Sequence, residues 1–222
     1  MHIRISLASL VASLSLASMA TAGITGMTFT DSTNDLFDNG FTNLDISSVT
    51  VSNDATNVYI SVSTVGFSNW TKYGIFLNAD DNMGSSSHPW NRPHDLAGQN
   101  ISGFIGSWVD SATDNAQFWS YDSAWTHLLT NSNSVSAGGV VTFTFNYTPY
   151  LSVGDVLRFD VGTSGGGGSD PWVDLLSRST QSTSGWGSAS TAGTFLSYTL
   201  VPSPGAVALI GLTALISRRR RA

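Results

Sequence analysis

The chain contains no cysteine and no glutamate. Without cysteine there is no disulfide to staple the fold, and thiolate metal centres and cysteine nucleophiles are excluded. Without glutamate all 15 acidic residues are aspartate, which excludes glycosidase chemistry built on a glutamate pair. Bases are scarce as well. Of 9 basic residues, Arg4 lies near the N-terminus and Arg218, Arg219, Arg220 and Arg221 near the C-terminus. Only Lys72, Arg92, Arg158 and Arg178 then face the aspartates, so the middle of the chain carries −11, against −6 for the whole. Such a charge opposes binding to nucleic acid or anionic lipid and favours cations. Two patterns are missing too. Between Gly23 and Val201 no apolar period of 3.6 residues runs for a useful length, which argues against helices. No repeat of about 20–50 residues recurs, which argues against a solenoid or propeller.

What is present is a series of short β signals. Met27–Thr30, Leu44–Val51, Asn57–Thr64, Tyr73–Asn78, Ile101–Val109, Ala116–Tyr121, Trp125–Leu129, Val140–Tyr147, Val156–Gly162 and Thr194–Leu200 are rich in β-branched and aromatic residues. Val58, Ile60 and Val62 alternate with Tyr59, Ser61 and Ser63, the period of a half-buried strand. Gly, Asn, Asp and Ser turns separate the runs. About ten strands predict an all-β fold, an antiparallel β-sandwich of jelly-roll type over residues 23–200. Two stretches read as long loops: Asp80–Gln99, with His88, Trp90, Arg92 and His94, and Ser164–Gly193, with Trp172 and Trp186.

The ends have a different character. His2 and Arg4, the apolar run Ile5–Leu16 and Ala20-Thr21-Ala22 read as a signal peptide over residues 1–22, with the mature chain starting at Gly23. Residues 201–222 combine Pro202-Ser203-Pro204, the apolar run Ala206–Ile216 (expected as a helix) and the cluster Arg218–Arg221. By the positive-inside rule the arginines stay cytoplasmic and the bulk of the chain lies outside. This tail resembles the PEP-CTERM sorting signal of Gram-negative bacteria, with Ser203 where the family carries glutamate. The resemblance implies recognition by an exosortase-type processing enzyme, membrane attachment through the tail before processing, and a final place at the cell surface, outer envelope or extracellular matrix.

Oxygen donors cluster twice. Asp31, Asn34, Asp35, Asp38 and Asp45 fall within fifteen residues, just before a strand. Asn78, Asp80 and Asn82 alternate where another strand ends. Hard cations such as Ca²⁺ take six to eight oxygens from loops of this kind. Asp31, Asp35, Asp45, Asn78, Asp80 and Asn82 are therefore the calcium candidates, capped turns without metal being the other reading. Seven tryptophans form the third constellation. Flat sugar faces stack on such rings, and the loop tryptophans Trp90, Trp172 and Trp186 are the sugar-contact candidates. Trp108 and Trp119 lie on strands and read as core. His88 and His94 are spaced too loosely for a zinc pair on one element and read as loop histidines. No Gly-x-Ser-x-Gly elbow is present, and Gly165–Gly168 lacks the ending of a phosphate loop.

Phe29-Thr30-Asp31, Asn34-Asp35, Asn43-Leu44-Asp45-Ile46, Val51-Ser52-Asn53-Asp54, Val58-Tyr59-Ile60 and Tyr73–Asp80 together resemble family 9 carbohydrate-binding-like and DOMON-like sandwiches. That resemblance implies a non-catalytic β-sandwich holding calcium and binding sugar; in DOMON relatives haem is another ligand, and Met83, His88 and His94 are the residues to consider for it. The expectation is thus an exported, non-enzymatic, surface or matrix protein that binds extracellular polysaccharide, with structural calcium and no nucleic-acid partner. Two alternatives stay open: a structural matrix protein without a small ligand, and a glycan hydrolase using Asp95, Asp110 or Asp170.

Overall fold

The computed structural model describes residues 26–79, 84–109, 115–135 and 138–202. The signal segment, Asp80, Asn82, Met83, Asp110 and the tail from Ser203 onward lie outside them. The described residues contain no helix, hence none long and apolar enough to cross a membrane. They form thirteen strands: β1 (Met27–Thr30), β2 (Ile46–Asn53), β3 (Asn57–Thr64), β4 (Lys72–Asn78), β5 (His94–Asp95), β6 (Gly103–Trp108), β7 (Asn115–Asp122), β8 (Ala124–Val135), β9 (Val141–Asn146), β10 (Val156–Ser164), β11 (Trp172–Leu175), β12 (Ser190–Thr191) and β13 (Leu196–Thr199).

Eleven strands hydrogen-bond in the order β1-β2-β3-β9-β8-β7-β6-β4-β10-β11, with β13 also on β10. Every pairing in this sheet is antiparallel; the two-residue β5 and β12 pair in parallel apart from it. β8 joins the two halves of the order: its residues 124–132 pair with β7 and its residues 133–135 with β9. Distant members of the order nevertheless touch. Phe29 on β1 meets Phe159 on β10 edge-on at 5.2 Å, and Tyr73 on β4 lies 5.8 Å from Phe143 on β9. The two halves therefore face each other across one core.

The alternation in the sequence decides which side chains enter that core. Val58, Ile60 and Val62 are at most 1% exposed, while Tyr59, Ser61 and Ser63 are half-buried. Phe143, Phe145, Leu157, Phe159 and Val161 join them. Burying each such side chain contributes about 1.5–3 kcal/mol. β4 is buried at nearly every position, because both its faces are covered. Tyr73, Ile75 and Leu77 point into the main core, and Phe76 into a second cluster with Phe104, Trp172 and Leu175.

Asn53, also buried, fastens the end of the described chain. Its Oδ1 accepts from Tyr198 O–H (2.8 Å) and Val201 N–H (3.0 Å), and its Nδ2 donates to Val201 O (2.9 Å).

Candidate metal centre

Three segments meet where β10 and β11 pack against the residues leading into β2. Asp31 follows β1, Asp35 lies in the next turn, and Asp45 directly precedes β2. The β10–β11 pairing sets Asp174 opposite Thr163, and the Thr163 hydroxyl donates to Leu44 O. Asp174 Oδ2 accepts from Ile46 N–H at 2.6 Å, a bond spanning 128 residues of chain. Each of Asp35, Asp45 and Asp174 offers an oxygen within 4.8 Å of the other two.

A small apolar cluster holds these segments in place. Leu36, Leu44 and Val173, each adjacent in sequence to one of the three carboxylates, are buried together. Phe37, Phe41, Trp70 and Trp186 pack against them, with Trp186 edge-on to both phenylalanines at 5.3 Å. Local geometry helps as well. Asn34 adopts a left-handed backbone (φ 66°), which asparagine tolerates, and donates its N–H to Asp45 Oδ2 at 2.9 Å.

The electrostatics lack compensation. Asp45 is 1% exposed and Asp174 is 3% exposed. Four carboxylate oxygens are buried without a hydrogen-bond partner: Asp31 Oδ2, both oxygens of Asp35, and Asp45 Oδ1. Burial, reinforced by the charges of Asp35, Asp160 and Asp45, pushes the Asp31 carboxyl up to about 8, although the Ser32 N–H pulls the other way. Burial also raises Asp35, with Asp45 adding to it, and raises Asp45 itself. Asp174 is raised well above the usual carboxylate range by burial and then by Asp31 and Asp35. At this spacing two carboxylates repel on the order of 3 kcal/mol at the effective dielectric of a protein.

Asp160 is fully buried and raised to about 7 by burial, but its oxygens are taken: Val161 N–H, Ser177 N–H and Ser177 O–H all donate to it. The open oxygens belong to Asp31, Asp35 and Asp45, and an Asp174 oxygen that accepts one N–H keeps a second lone pair. The donor set is all oxygen and mostly anionic, which suits a hard divalent cation rather than a soft one.

Asp35 and Asp45 are thus brought together with Asp174, and Asp31 lies near enough for the charges of Asp35 and Asp45 to raise its carboxyl. Asn78 stands elsewhere. It pairs with Arg158 across β4–β10, whereas Asp174 lies level with Thr163 and Tyr73 at the other end of those strands, about 17 Å away by strand rise. The Asn78 Nδ2 donates to Asn100 O; Asp80 and Asn82 lie outside the described residues. Two acidic groups of this region had no part in the sequence reading: Asp174 and Asp160. Their signal was an aspartate inside an apolar run, Trp172-Val173-Asp174-Leu175 and Phe159-Asp160-Val161.

The three loop tryptophans do not share a face. Trp172 is fully buried, its indole N–H donating to His88 Nε2 at 3.1 Å, and it has no free surface for a sugar. Its burial follows from β11, a strand inside the stretch that reads as loop. Trp90 is half-buried and parallel to Trp172 at 6.3 Å. Trp186 is half-buried over the acidic loops. Arg92, buried beside the rings of Trp90 and Trp172, donates to Ser164 Oγ and to the carbonyls of Gly165, Gly167 and Asp170. The glycine-rich segment is therefore wrapped round a guanidinium.

His88 is 2% exposed, and His94 Nδ1 shares a hydrogen bond with Ser190 Oγ (2.9 Å). Burial lowers His88 to about 3, helped by the charges of His94 and Arg92, and lowers His94 to about 4. Both are interior residues rather than solvent-facing ones. Asp95 accepts from Ala97 N–H and Asp170 from Gly167 N–H, each closing its own turn; Asp110 lies outside the described residues.

Comparison of the sequence with protein-family models and with curated proteins finds no match.

Proposed function

We propose that the protein is an exported, non-catalytic β-sandwich of jelly-roll type that acts at the cell surface or in the extracellular matrix. Calcium pins its acidic loops, and it binds extracellular polysaccharide. The observation that carries this reading is the convergence of Asp35, Asp45 and Asp174, with Asp31 near enough to feel their charges and four carboxylate oxygens of Asp31, Asp35 and Asp45 buried without a partner. In a chain without disulfides, a divalent cation there ties the turns around Asp31 and Asp35, the start of β2 and β11 into one unit. The signal-like N-terminus and the tail at Pro202-Ser203-Pro204 and Arg218–Arg221 support export and exosortase-type processing. A charge of −11 in the mature region fits a calcium-containing exterior and disfavours nucleic acid.

The test is thermal unfolding of the purified full-length chain. Millimolar Ca²⁺ is expected to raise the melting temperature by several degrees over EDTA, as a ligand that binds only the folded state does. Equal melting temperatures in EDTA and Ca²⁺ overturn the calcium assignment. Screening against a polysaccharide panel tests the second half of the reading, and silence across the panel overturns it.

A further inference from the structure

The face of β6, β7 and β8 turned away from the main core is aromatic. Ile105, Ala116 and Phe118 enter the main core; their strand neighbours Gln117, Trp119 and Tyr121 therefore point the other way. β8 sets His127 opposite Trp119 and Trp125 opposite Tyr121, with ring centroids 4.8 Å and 5.3 Å apart. A glycine on β6 admits a further ring: a Cβ at Gly106 would lie 2.3 Å from the Trp90 indole, so Trp90 rests directly on the strand. Trp108 follows at 6.1 Å from Trp90.

The indole N–H groups of Trp90, Trp119 and Trp125 are occupied. Trp90 (3.0 Å) and Trp119 (3.3 Å) both donate to Gln117 Oε1, and Trp125 donates to Ser87 O (3.1 Å). Two donors on one oxygen fix the orientation of the Gln117 amide, and its NH₂ is then the donor end. These bonds hold Trp90, Trp119 and Trp125, yet these three and Trp108 stay half exposed and His127 exposed. What they offer to solvent is ring surface, with an amide and an imidazole between.

We propose that this face is the polysaccharide-binding surface and that it takes a neutral chain of pyranose rings. The inference rests on the reading above that the protein binds polysaccharide. Pyranose rings present C–H faces that pack on aromatic rings and hydroxyls that pair with amide and imidazole groups. From Trp108, level with Asn115, to Trp125, level with Tyr121, the face runs about 20 Å along the strands, room for several consecutive sugars. Among the described residues Lys72 stands at its margin, opposite Trp108. A domain at −11 repels an anionic glycan, which is why the chain is neutral.

Affinity electrophoresis of the full-length chain in calcium tests this, through gels holding hydroxyethyl cellulose, xylan, galactomannan or, as the anionic case, alginate. Retardation by at least one neutral polymer and not by alginate is expected. Trp119→Ala and Trp108→Ala should each weaken it about tenfold. Gln117→Glu, which still accepts both indole N–H bonds but donates nothing, should weaken it too. Tyr150→Ala should leave it unchanged; Tyr150 lines a separate cleft of about 450 Å³ with Phe118, Phe145 and Tyr147. Intrinsic tryptophan fluorescence of the unmutated chain, titrated with the retarding polymer, should shift, and this needs no variant to fold. Retardation unaffected by the tryptophan changes, lost in Tyr150→Ala, or strongest with alginate overturns this surface while leaving polysaccharide binding in place. No retardation by any polymer overturns both, and the calcium-dependent melting shift then stands or falls by itself.

Discussion

Asp35 shows what the site asks of a single residue. Both of its oxygens are buried without a donor, and its neighbours in the cluster are carboxylates. An asparagine of the same shape brings an NH₂ group that can donate to Asp45 Oδ1, and it removes a charge. In EDTA, Asp35→Asn should therefore raise stability by about 1–3 kcal/mol. In calcium the same change removes a ligand charge, so the calcium-induced rise in melting temperature should largely vanish. Calorimetry of the variant in both conditions reads the two effects. A variant less stable than the parent in EDTA, or one keeping the full calcium shift, contradicts the account. Asp35 was legible in the sequence because Asp31, Asp35 and Asp45 fall together before one strand. Asp174 was not, because it reaches them only through the β10–β11 register, 128 residues beyond Ile46. Locally Asp174 shows only an aspartate inside an apolar run, which names no partner for it.

Strands differ in how openly they announce themselves. β3 and β9 alternate one apolar with one polar residue, and the alternation matches their burial residue by residue. Their faces were readable because one side meets the core and the other does not. β11 is four residues long and buried throughout, so it carries no alternation, and Pro171 and the glycines before it disguise it as loop. That disguise is why Trp172 reads as an exposed platform when it is a core residue. Trp108 and Trp119 show the converse error: placed on strands, they read as core, but their face of the sheet is only partly covered. A close contact between elements runs through β4. A Cβ at Gly74 would lie 2.3 Å from the ring of Trp172, which is fully enclosed and hydrogen-bonded to His88. The indole has no room to yield. Gly74→Ala should cost about 1–3 kcal/mol of stability, the usual range for overpacking. Chemical denaturation would show this as a lower midpoint with unchanged slope, and a midpoint equal to that of the parent would mean that β4 and β11 are not in such close contact.

At the scale of the whole molecule, pH separates the cation-free from the cation-bound protein. Without a cation the folded state holds protons that the unfolded chain has released: Asp31 titrates near 8, and Asp174 is also raised well above the carboxylate range. Where the folded state binds more protons, stability rises as pH falls. Acidification from pH 8 towards 5 therefore stabilises the cation-free cluster. A bound divalent cation keeps the same carboxylates ionised and abolishes that gain, and protons compete with it for the oxygens. His88 and His94, lowered to about 3 and about 4, work in the opposite sense below pH 6.5, since the unfolded chain takes up protons there first and stability is lost. Asp160, near 7 and outside the donor set, stabilises as pH falls through its own value. The two histidines titrate alike with and without calcium, so they cancel in the difference between the two melting temperatures, whereas Asp160, whose charge raises Asp31, moves with the cluster. That difference isolates the acidic cluster. It should be largest near pH 8 and shrink steadily towards pH 5. A calcium-induced increment that stays constant, or grows, over this range would mean that the cation binds away from Asp31, Asp35, Asp45 and Asp174, at carboxylates whose protonation folding does not alter.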